Sequence, residues 1–560
     1  MDSGVLNFAE IRRPAPFCAE AGIRMFSDES PHGLETRMKV KRALVSVSDK
    51  TGLVEFASAL VEMGVQIIST GGTMKSLSDA GIAVTGISDV TGLPEMLDGR
   101  VKTLHPKIHG GLLAVRDNPD HMATIAEHGI EPIDMVVVNL YPFAATIAKP
   151  GVTREVAIEN IDIGGPSMIR SAAKNHASVA VVVSPADYPS VLAELRANGG
   201  ALSLETKESL AAKAYAHTGA YDALIASYLR PAESGFPAQL PLAFRKVQDL
   251  RYGENPHQRA AFYSEDGNQP LGIPNAIKRH GKELSFNNIY DLNGAYELAQ
   301  EFAAGSEAFA CIVKHTNPCG AAVAPTLEAA FRKARAGDPI SAFGGILALT
   351  RTVDAATADA ITGPNTFFEA IVAPGYEGDA FAILTERKKW GANLILLELP
   401  NRDPQSAPAY WDMKRVAGGL LVQERDSVAT SVSDLTVVTR RTPTDDEADA
   451  LLFAWTIVAH VKSNAITVAA PGQLLGVGCG QMNRVQSVRL AVGQAGERAN
   501  GAVLASDAFF PFADGPEAAG LAGITAIIQP GGSKKDDESI AMADAHNMAM
   551  VFTGKRHFRH

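Results

Sequence analysis

Cysteine is scarce in this chain. Its 560 residues include only four, Cys18, Cys311, Cys319 and Cys479, and no two of them form a CxxC pair. This spacing predicts neither a disulfide framework nor a structural zinc site. Long apolar runs are also missing, because no stretch reaches the roughly 18 residues that a membrane-spanning helix needs, and residues 1–40 lack a signal-peptide pattern. The sequence therefore predicts a cytoplasmic protein with reduced thiols.

Positive charge is in deficit as well, since the formal net charge is -11. An acidic chain is a poor partner for nucleic acid or anionic membranes, which leaves local sites for small phosphorylated ligands. The sequence has no GxxxxGK[ST] loop and no GxGxxG fingerprint, so use of ATP as an energy source is unsupported. A hydrophobic content of 46% over 560 residues instead predicts several globular domains.

Apolar runs alternate with amphipathic runs from residue 42 onward, which is typical of an α/β fold with a parallel sheet. Expected strands include 135–141, 178–184, 311–315, 344–350 and 370–374, and a helix is expected over 447–464. Mixed composition without clear periodicity predicts a poorly ordered extension over 1–40. Proline-rich interruptions then predict a first domain (41–230), a linker (231–243) and a second region (244–560). The two parts of that region, 244–410 and 411–560, are similar enough in size to suggest duplicated units.

Two loops of the first domain join a strand to a helix with small hydroxyl and glycine residues: VSVSDKTG (45–52) and IISTGGT (67–73). The start of a helix offers unpaired N–H groups and partial positive charge, which suits a phosphate. Ordinary helix caps use the same residue types. The position of both loops at successive strand ends favours a ligand site, because ligands collect at such ends in α/β sheets; both interpretations stay open.

Further along the first domain, RVKTLHP (100–106) would place Arg100 and Lys102 on one side if it were extended. Two cations on one face suit a phosphate or a developing oxyanion, although a solvated basic edge would look the same. Asp162 precedes a double glycine and a helix that carries Lys174. This pair is expected either to exchange protons with a substrate or to form a structural ion pair.

In CIVKHTNPCG (311–320), an apolar strand ends in Lys314 and His315. Histidine is the natural general base near neutral pH, and two adjacent cationic side chains suggest an anionic ligand. A histidine satisfied by a backbone carbonyl is the structural alternative.

A catalytic metal is not expected. Zinc deaminases use HxE followed by PCxxC, but no glutamate stands two residues after His315, and Cys319 has no second cysteine at the required spacing. His105 and His109 have an i, i+4 spacing without the glutamate of an HExxH frame, so structural roles are favoured for them.

From about residue 42 to 560 the chain carries a series of ordered motifs: SVSDKTG, STGGT, GRVKTLHP, NLYPF, IDIGG, AAKNH, LRYGENPHQ, VKHTNPCG, SAFGG, IVAPGY, VKSN, GQMNR, SDAFFPF and FRH. With these motifs the sequence resembles the bifunctional enzymes that combine phosphoribosylaminoimidazolecarboxamide (AICAR) formyltransferase with inosine monophosphate (IMP) cyclohydrolase. The resemblance implies a methylglyoxal-synthase-like domain followed by two cytidine-deaminase-like α/β subdomains that lack zinc. It also implies a homodimer that uses 10-formyltetrahydrofolate as co-substrate.

The resemblance further assigns site residues. In the cyclohydrolase it implies Lys102, Tyr141, Asp162 and Lys174 around the reacting groups, and Ser46, Ser48, Lys50, Thr51, Thr70, Gly71, Gly72, Thr73, Arg100, Thr103 and Asn139 around the nucleotide. In the formyltransferase it implies catalysis by Lys314, His315 and Asn464, nucleotide binding by Arg251, Tyr252, Gly344, Glu369 and Arg556, and folate binding by Arg484, Val485, Phe509, Asp514, Ser533 and Lys534.

Two other functions are alternatives to this one. A zinc-dependent nucleoside or nucleotide deaminase is disfavoured by the missing ligands. A non-catalytic nucleotide-binding regulator would keep the phosphate loops but would have no use for Lys314 and His315.

Overall fold

The computed structural model describes residues 38–97, 99–231, 235–267, 271–403 and 411–560. The chain divides into two compact units, Met1–Phe143 with Thr153–Gly219 and Ala144–Val152 with Ala220–His560. Most of the extension expected over 1–40, and part of the linker expected over 231–243, lie outside the described residues. None of the described helices combines the length and the apolar character that a membrane span requires.

The first unit contains a parallel sheet in the order β3-β2-β1-β4-β5. Its strands are short, and β1, β4 and β5 are almost wholly buried because helices cover both faces of a parallel sheet. The strands are β1 (Arg42–Val47), β2 (Gln66–Ser69), β3 (Val84–Gly86), β4 (Met135–Asn139) and β5 (Ala180–Val182). The helices up to residue 229 are α1 (Leu53–Glu62), α2 (Gly71–Asp79), α3 (Ile87–Thr91), α4 (Pro106–Leu113), α5 (Pro119–Glu127), α6 (Phe143–Ile147), α7 (Arg154–Glu159), α8 (Gly164–Lys174), α9 (Tyr188–Ala197) and α10 (Leu204–Leu229).

The second unit is built on one large sheet, with two small hairpins beside it. The strands are β6 (Phe244–Leu250), β7 (Ala260–Glu265), β8 (Ile277–His280), β9 (Ala308–Lys314), β10 (Asn317–Ala324), β11 (Gly345–Leu349), β12 (Phe368–Ala373), β13 (Ile395–Glu398), β14 (Trp411–Val416), β15 (Gly419–Glu424), β16 (Thr436–Val437), β17 (Ile466–Ala470), β18 (Gln473–Gly478), β19 (Val503–Ser506), β20 (Ala526–Gln529) and β21 (Ala549–Phe552). The helices are α11 (Phe286–Phe302), α12 (Leu327–Gly337), α13 (Ala355–Ile361), α14 (Gly378–Glu386), α15 (Asp445–Val458), α16 (Arg484–Ala495), α17 (Asp514–Leu521) and α18 (Asp536–Ala545).

The large sheet repeats one topology twice. Its order is β16-β21-β20-β19-β17-β18-β10-β9-β11-β12-β13-β8. Outward from the centre, each half begins with an antiparallel hairpin, continues with three mutually parallel strands and ends with an antiparallel edge strand. We call residues 277–398 repeat 1 and residues 436–552 repeat 2. The antiparallel pairing of β10 with β18, at Ala322 and Gln473, joins them, and we call this junction the seam.

The two repeats agree even in their irregularities. The register of β10 against β9 shifts between Pro318 and Gly320, and that of β18 against β17 shifts just before Gly476. At each position the following helix packs directly on the glycine. A Cβ on Gly320 would lie 2.2 Å from the carbonyl oxygen of Ala334 in α12, and one on Gly476 would lie 2.1 Å from that of Ala491 in α16. Only glycine permits this approach of helix to strand.

Strand alternation divides the apolar side chains of the large sheet between its two faces. Phe309, Cys311 and Val313 of β9 point to the face covered by α11 and α15, where repeats 1 and 2 share one core. Ala310 and Ile312 point to the opposite face, where the remaining helices of each repeat cover a core of their own. The shared core therefore connects the two halves as one folded body.

Some local expectations need correction. The helix expected over 447–464 is α15, which ends at Val458, so Asn464 follows a turn and lies just before β17. Residues 100–106 are not a strand, since Val101 makes only an isolated bridge to Met96. The strands expected at 135–141, 178–184, 311–315, 344–350 and 370–374 are present within shifted bounds as β4, β5, β9, β11 and β12.

Candidate active sites

The first candidate site lies at the carboxyl edge of the parallel sheet. Because β1 pairs in parallel with both β2 and β4, the loops after these strands meet at this edge. The Asn139 side chain fixes the first of them, since its Oδ1 accepts the N–H groups of Ser48 at 2.7 Å and of Asp49 at 2.9 Å. Thr51 is held in turn by the Asp49 carboxylate, to which its hydroxyl donates at 2.7 Å. Asn139 and Thr51 thus shape the loop itself.

The second loop opens α2, whose first turn is not capped by any side chain. Thr70 stands at the cap position, but its hydroxyl donates instead to Glu95 Oε1 at 3.2 Å. The Thr73 hydroxyl bonds the N–H and carbonyl of Val47, both at 3.0 Å, so Thr73 offers a ligand only its backbone. A Cβ on Gly72 would lie 3.5 Å from Lys50 Nζ. Uncapped N–H groups beside a lysine favour the phosphate interpretation over that of a plain helix cap.

Lys102 lies between two carboxylates at the same edge. Its Nζ is 3.7 Å from Glu95 Oε1, and its charge also acts on Asp162. Burial raises the pKa of Asp162, although N–H groups of Gly165 and Tyr141 and the Lys102 charge oppose the rise. Burial, followed by the charges of Asp162 and Glu95, raises the pKa of Tyr141, so its phenol stays a proton donor at neutral pH. Lys102, Asp162, Tyr141 and Glu95 thus form a cluster of interacting titratable groups.

Two further expected members are Arg100 and Lys174. The Arg100 guanidinium forms an ion pair with Glu159. Asp162 precedes α8 and Lys174 ends it, so about 15 Å of helix separates their backbones at 1.5 Å per residue. Joint action of Asp162 and Lys174 on a bound substrate stays a prediction.

The histidines of the motif at residues 105–109 have structural partners. His105 caps α4 by accepting the Lys107 N–H on its Nδ1 at 3.1 Å. His109 Nδ1 lies 3.0 Å from the Ser171 hydroxyl, and burial lowers the pKa of His109. In the part of the chain that the structure describes, no three His, Cys, Asp or Glu side chains are grouped as metal ligands.

The second candidate site follows one edge of the large sheet. In repeat 1 this edge holds the carboxyl end of β9 and the amino ends of β11 and β12. Across the seam, in repeat 2, the same edge holds the amino end of β17 and the carboxyl ends of β19, β20 and β21. The expected formyltransferase residues of the large sheet lie at or just beyond these ends: Lys314, His315, Gly344, Glu369, Asn464, Arg484, Val485, Phe509, Asp514, Ser533, Lys534 and Arg556. Arg251 and Tyr252 follow β6 instead, in a separate hairpin.

Lys314 is the last residue of β9, and His315 is the first residue of the turn to β10. Lys314 Nζ donates to the Phe343 carbonyl oxygen at 3.0 Å, which leaves two N–H groups for a ligand. His315 is exposed, and its N–H and that of Thr316 point to the Asp291 carboxylate on α11. The histidine is therefore not the satisfied core residue of the structural alternative.

Asn464 is fixed by Arg484, which is almost fully buried. Arg484 Nη2 donates to Asn464 Oδ1 at 2.7 Å, and its Nη1 bonds Ser506 and the buried Asp507 carboxylate. Asn464 Nδ2 donates to the Gln481 carbonyl oxygen at 2.8 Å, so one amide N–H remains for a ligand. The Arg484 guanidinium thus orients Asn464, and its expected role in folate binding stays a prediction.

The seam brings the two repeats together at this edge. The Lys462 N–H donates to Asn317 Oδ1 at 3.0 Å, and the Gly480 N–H donates to the Lys462 carbonyl oxygen at 2.7 Å. The Lys462 charge also acts on Asp291. The β9–β10 turn of repeat 1 is therefore linked by hydrogen bonds to the Asn464 segment of repeat 2.

The other expected ligands show varied surroundings. Glu369 is bound by Lys282 Nζ at 2.5 Å. Gly344 has φ 77° and donates its N–H to the Phe367 carbonyl oxygen at 2.7 Å. The guanidinium of Arg556 lies 4.6 Å from the centre of the Phe558 ring, and that of Arg251 lies 5.7 Å from that of Tyr252. Val485, Phe509, Asp514, Ser533 and Lys534 are partly or fully exposed.

Sequence reasoning missed Glu95, Asp291, Lys462 and Asp507. Glu95 lies seven residues before Lys102 and Lys462 two before Asn464, so nearness to a motif was an available signal. Asp291 was visible only as a lone charge in an otherwise apolar and amide-rich stretch of α11, and Asp507 as the aspartate of SDAFF.

Comparison with known proteins decides the family. A family model described as AICARFT/IMPCHase bienzyme matches residues 172–494, which is more than half of the chain, and one described as MGS-like domain matches residues 52–167. The chain belongs to the AICARFT/IMPCHase bienzyme family. The order of the two matches is that of the two candidate sites along the chain.

Relatives within the AICARFT/IMPCHase bienzyme family are similar over nearly the whole chain. A protein of Ruminiclostridium cellulolyticum is 54% identical, one of Listeria monocytogenes serovar 1/2a is 56% identical, and one of Magnetococcus marinus is 54% identical. Each match covers 93% of this chain and 100% of the relative, and each relative is named bifunctional purine biosynthesis protein PurH. The unmatched part of this chain amounts to less than a tenth of its length.

Proposed function

We propose that this chain catalyses two consecutive steps of purine biosynthesis: formyl transfer from 10-formyltetrahydrofolate to AICAR, and closure of the formylated nucleotide to IMP with loss of water. Membership of the bienzyme family gives the two activities. The observation that carries their assignment is the exposed Lys314–His315 turn, which is hydrogen-bonded across the seam and lies in a different unit from the Lys102 cluster.

For formyl transfer, His315 takes a proton from the nucleotide amine as its nitrogen attacks the formyl carbon. Lys314 offers two N–H groups and Asn464 offers one to the oxygen on which negative charge develops. Tetrahydrofolate then leaves with a proton on its nitrogen. Arg484 keeps the Asn464 amide in the orientation that presents N–H rather than carbonyl to the substrate.

For ring closure, the carboxamide nitrogen attacks the formyl carbon of the same molecule, so orientation contributes much of the rate. Lys102 stabilises the oxyanion, and the raised pKa of Asp162 suits it to take the amide proton and pass it to that oxygen. The oxygen then leaves as water with a second proton, which the former formamide N–H releases as the ring C=N bond forms. The uncapped α2 terminus with Lys50 would hold the phosphate. Lys174, at the end of α8, is proposed to share the proton transfers with Asp162.

We further propose that the repeats are deaminase-like subdomains that act without zinc, and that the enzyme is a homodimer. The donor set supports the first point: His315 stands in the turn, whereas the Cys319 thiol packs against the core of repeat 1, on the other face of the sheet from the shared core, and donates to the Ile312 carbonyl oxygen at 3.5 Å. The homodimer rests on the family resemblance.

Assays that follow tetrahydrofolate release and IMP formation separately test the proposal. His315→Ala should abolish formyl transfer and spare cyclisation of preformed formylated nucleotide, whereas Lys102→Ala should do the reverse. Lys213→Ala is a matched control, because Lys213 also pairs with a carboxylate in the first unit but lies on α10; it should alter neither activity. Absence of both activities from the wild-type protein would refute the function, and loss of both in either folded variant would refute two independent sites.

A further inference from the structure

The turn between β9 and β10 has a backbone conformation that its residues disfavour. His315 has φ 53° and Thr316 has φ 63°. Positive φ at both central residues is typical of the tight turn that matches strand twist in a hairpin, where Asn and Gly are the usual residues. A β-branched threonine in this region is an outlier, because its Cβ crowds the backbone. Interactions from outside the turn must therefore hold it in place.

One carboxylate binds both N–H groups of this turn. Asp291 Oδ1 accepts the Thr316 N–H at 2.7 Å, and Asp291 Oδ2 accepts the His315 N–H at 3.3 Å. Asp291 is half-buried on α11, whose apolar face belongs to the shared core. The contact therefore ties the turn to a rigid part of the fold.

We propose that Asp291 is a positioning residue for formyl transfer, which fixes the strained His315–Thr316 turn so that the imidazole stands where the nucleotide amine loses its proton. The proposal rests on the formyl-transfer function assigned above. Asp291 acts through backbone N–H groups and touches no reacting atom. Its removal should therefore lower kcat and leave the KM for either substrate nearly unchanged.

If substitution of Asp291 lowers formyl transfer, the loss of its charge is a second explanation, because the charges of His315 and Lys462 both act on this carboxylate. Burial raises the pKa of Asp291, while hydrogen bonds from Thr316 and His315 and those two charges oppose the rise. The two explanations differ in one respect. If Asp291 acts by holding the backbone, a glycine at 316 should replace part of its action, since glycine adopts positive φ without strain.

A double-mutant cycle separates them. Asp291→Ala should lower the kcat of formyl transfer by about 10- to 100-fold, as expected when a catalytic group is misplaced by about 1 Å. Adding Thr316→Gly should restore at least half of that loss on a logarithmic scale, measured against Thr316→Gly alone. Asp291→Asn, which leaves no cavity, should also lose activity because its NH₂ group faces an N–H donor. An unchanged kcat in Asp291→Ala and Asp291→Asn, or no recovery in the double variant, would overturn the proposal.

Two controls make the result specific. Asp354 is also a half-buried aspartate that accepts a backbone N–H, that of Thr357 at 2.8 Å, but it lies beyond the opposite end of β11. Asp354→Ala should leave formyl transfer unchanged, and an equal loss there would mean that Asp291 has only a general structural role. Cyclisation, in the other unit, should be normal in every variant. Wild-type protein without formyl transfer would refute the function itself, whereas wild-type activity with inert Asp291 substitutions would refute only the positioning role.

Discussion

Repeats 1 and 2 of the large sheet have the same strand order, the same register shift and the same helix-packed glycine, yet their hairpin turns differ completely. The turn of repeat 1 is His315–Thr316, flanked by Lys314 and Asn317. The corresponding turn of repeat 2, between Ala470 and Gln473, is Pro471–Gly472, with φ 65° at the glycine. Proline and glycine suit a turn without help. The fold therefore needs only a tight turn at each position. The residues proposed for catalysis in repeat 1 introduce local backbone strain that the turn of repeat 2 does not have.

The largest effect is expected when the His315–Thr316 turn of repeat 1 is replaced by ordinary turn residues, as repeat 2 has at Pro471–Gly472. The double substitution His315→Asn with Thr316→Gly supplies the residue pair that such hairpin turns prefer. The hairpin should remain at least as stable, while formyl transfer falls by about 10²- to 10⁴-fold through loss of the general base.

Pro471→Ala in the other turn is the matched control, and it should leave kcat unchanged. A comparable loss of formyl transfer from Pro471→Ala would show that both turns carry function and would end the contrast between them.

A smaller effect should be equal in both repeats. Gly320→Ala and Gly476→Ala each force a Cβ against a helix carbonyl oxygen, so each should destabilise the second unit by about 1–3 kcal/mol. Tryptophan fluorescence during urea unfolding measures this, because the chain's three tryptophans, Trp390, Trp411 and Trp455, all lie in that unit. A large effect in one repeat and none in the other would argue against equivalent packing.

The smallest expected effect concerns how the capping boxes of the two shared-core helices make stability depend on pH. Both α11 and α15 begin with a capping box, but the acceptor is the neutral Asn288 in α11 and Glu447 in α15. Burial works to raise the pKa of Glu447, but hydrogen bonds, foremost those from Arg441, lower it to about 2. Because the folded pKa is depressed, this stabilisation is present above the ordinary value of 4.5 and is lost as pH falls towards 2.

Glu447→Gln should therefore remove about 1 kcal/mol of stability at neutral pH and flatten its decline in acid. Asn288→Gln is the comparison in the neutral box and should leave the acid decline intact. An unchanged pH profile in Glu447→Gln would contradict the assignment.

The sequence predicted what depends on local pattern. Apolar runs located β4, β5 and β9. The duplication was suggested only by size, because the pairing of β10 with β18 joins residues about 150 apart and leaves no local pattern.

For the site residues, too, the sequence indicated those that a local pattern marks. Lys314 and His315 stood out because charge ends an apolar strand. The bonds from Asp291 to the turn link residues 24 and 25 apart in sequence, and no spacing indicated them. Joint action of Asp162 and Lys174, expected from the sequence, stays a prediction.

The hydrogen bond from Lys462 to Asn317 also bears on refolding. It closes a loop between residues 145 apart, and closing a long loop is entropically slow unless other contacts form first. The first unit, with its own sheet and core, does not wait for that closure. During refolding from denaturant we therefore expect cyclisation activity to return before formyl-transfer activity. The delay between the two recoveries would then measure how long repeats 1 and 2 take to associate.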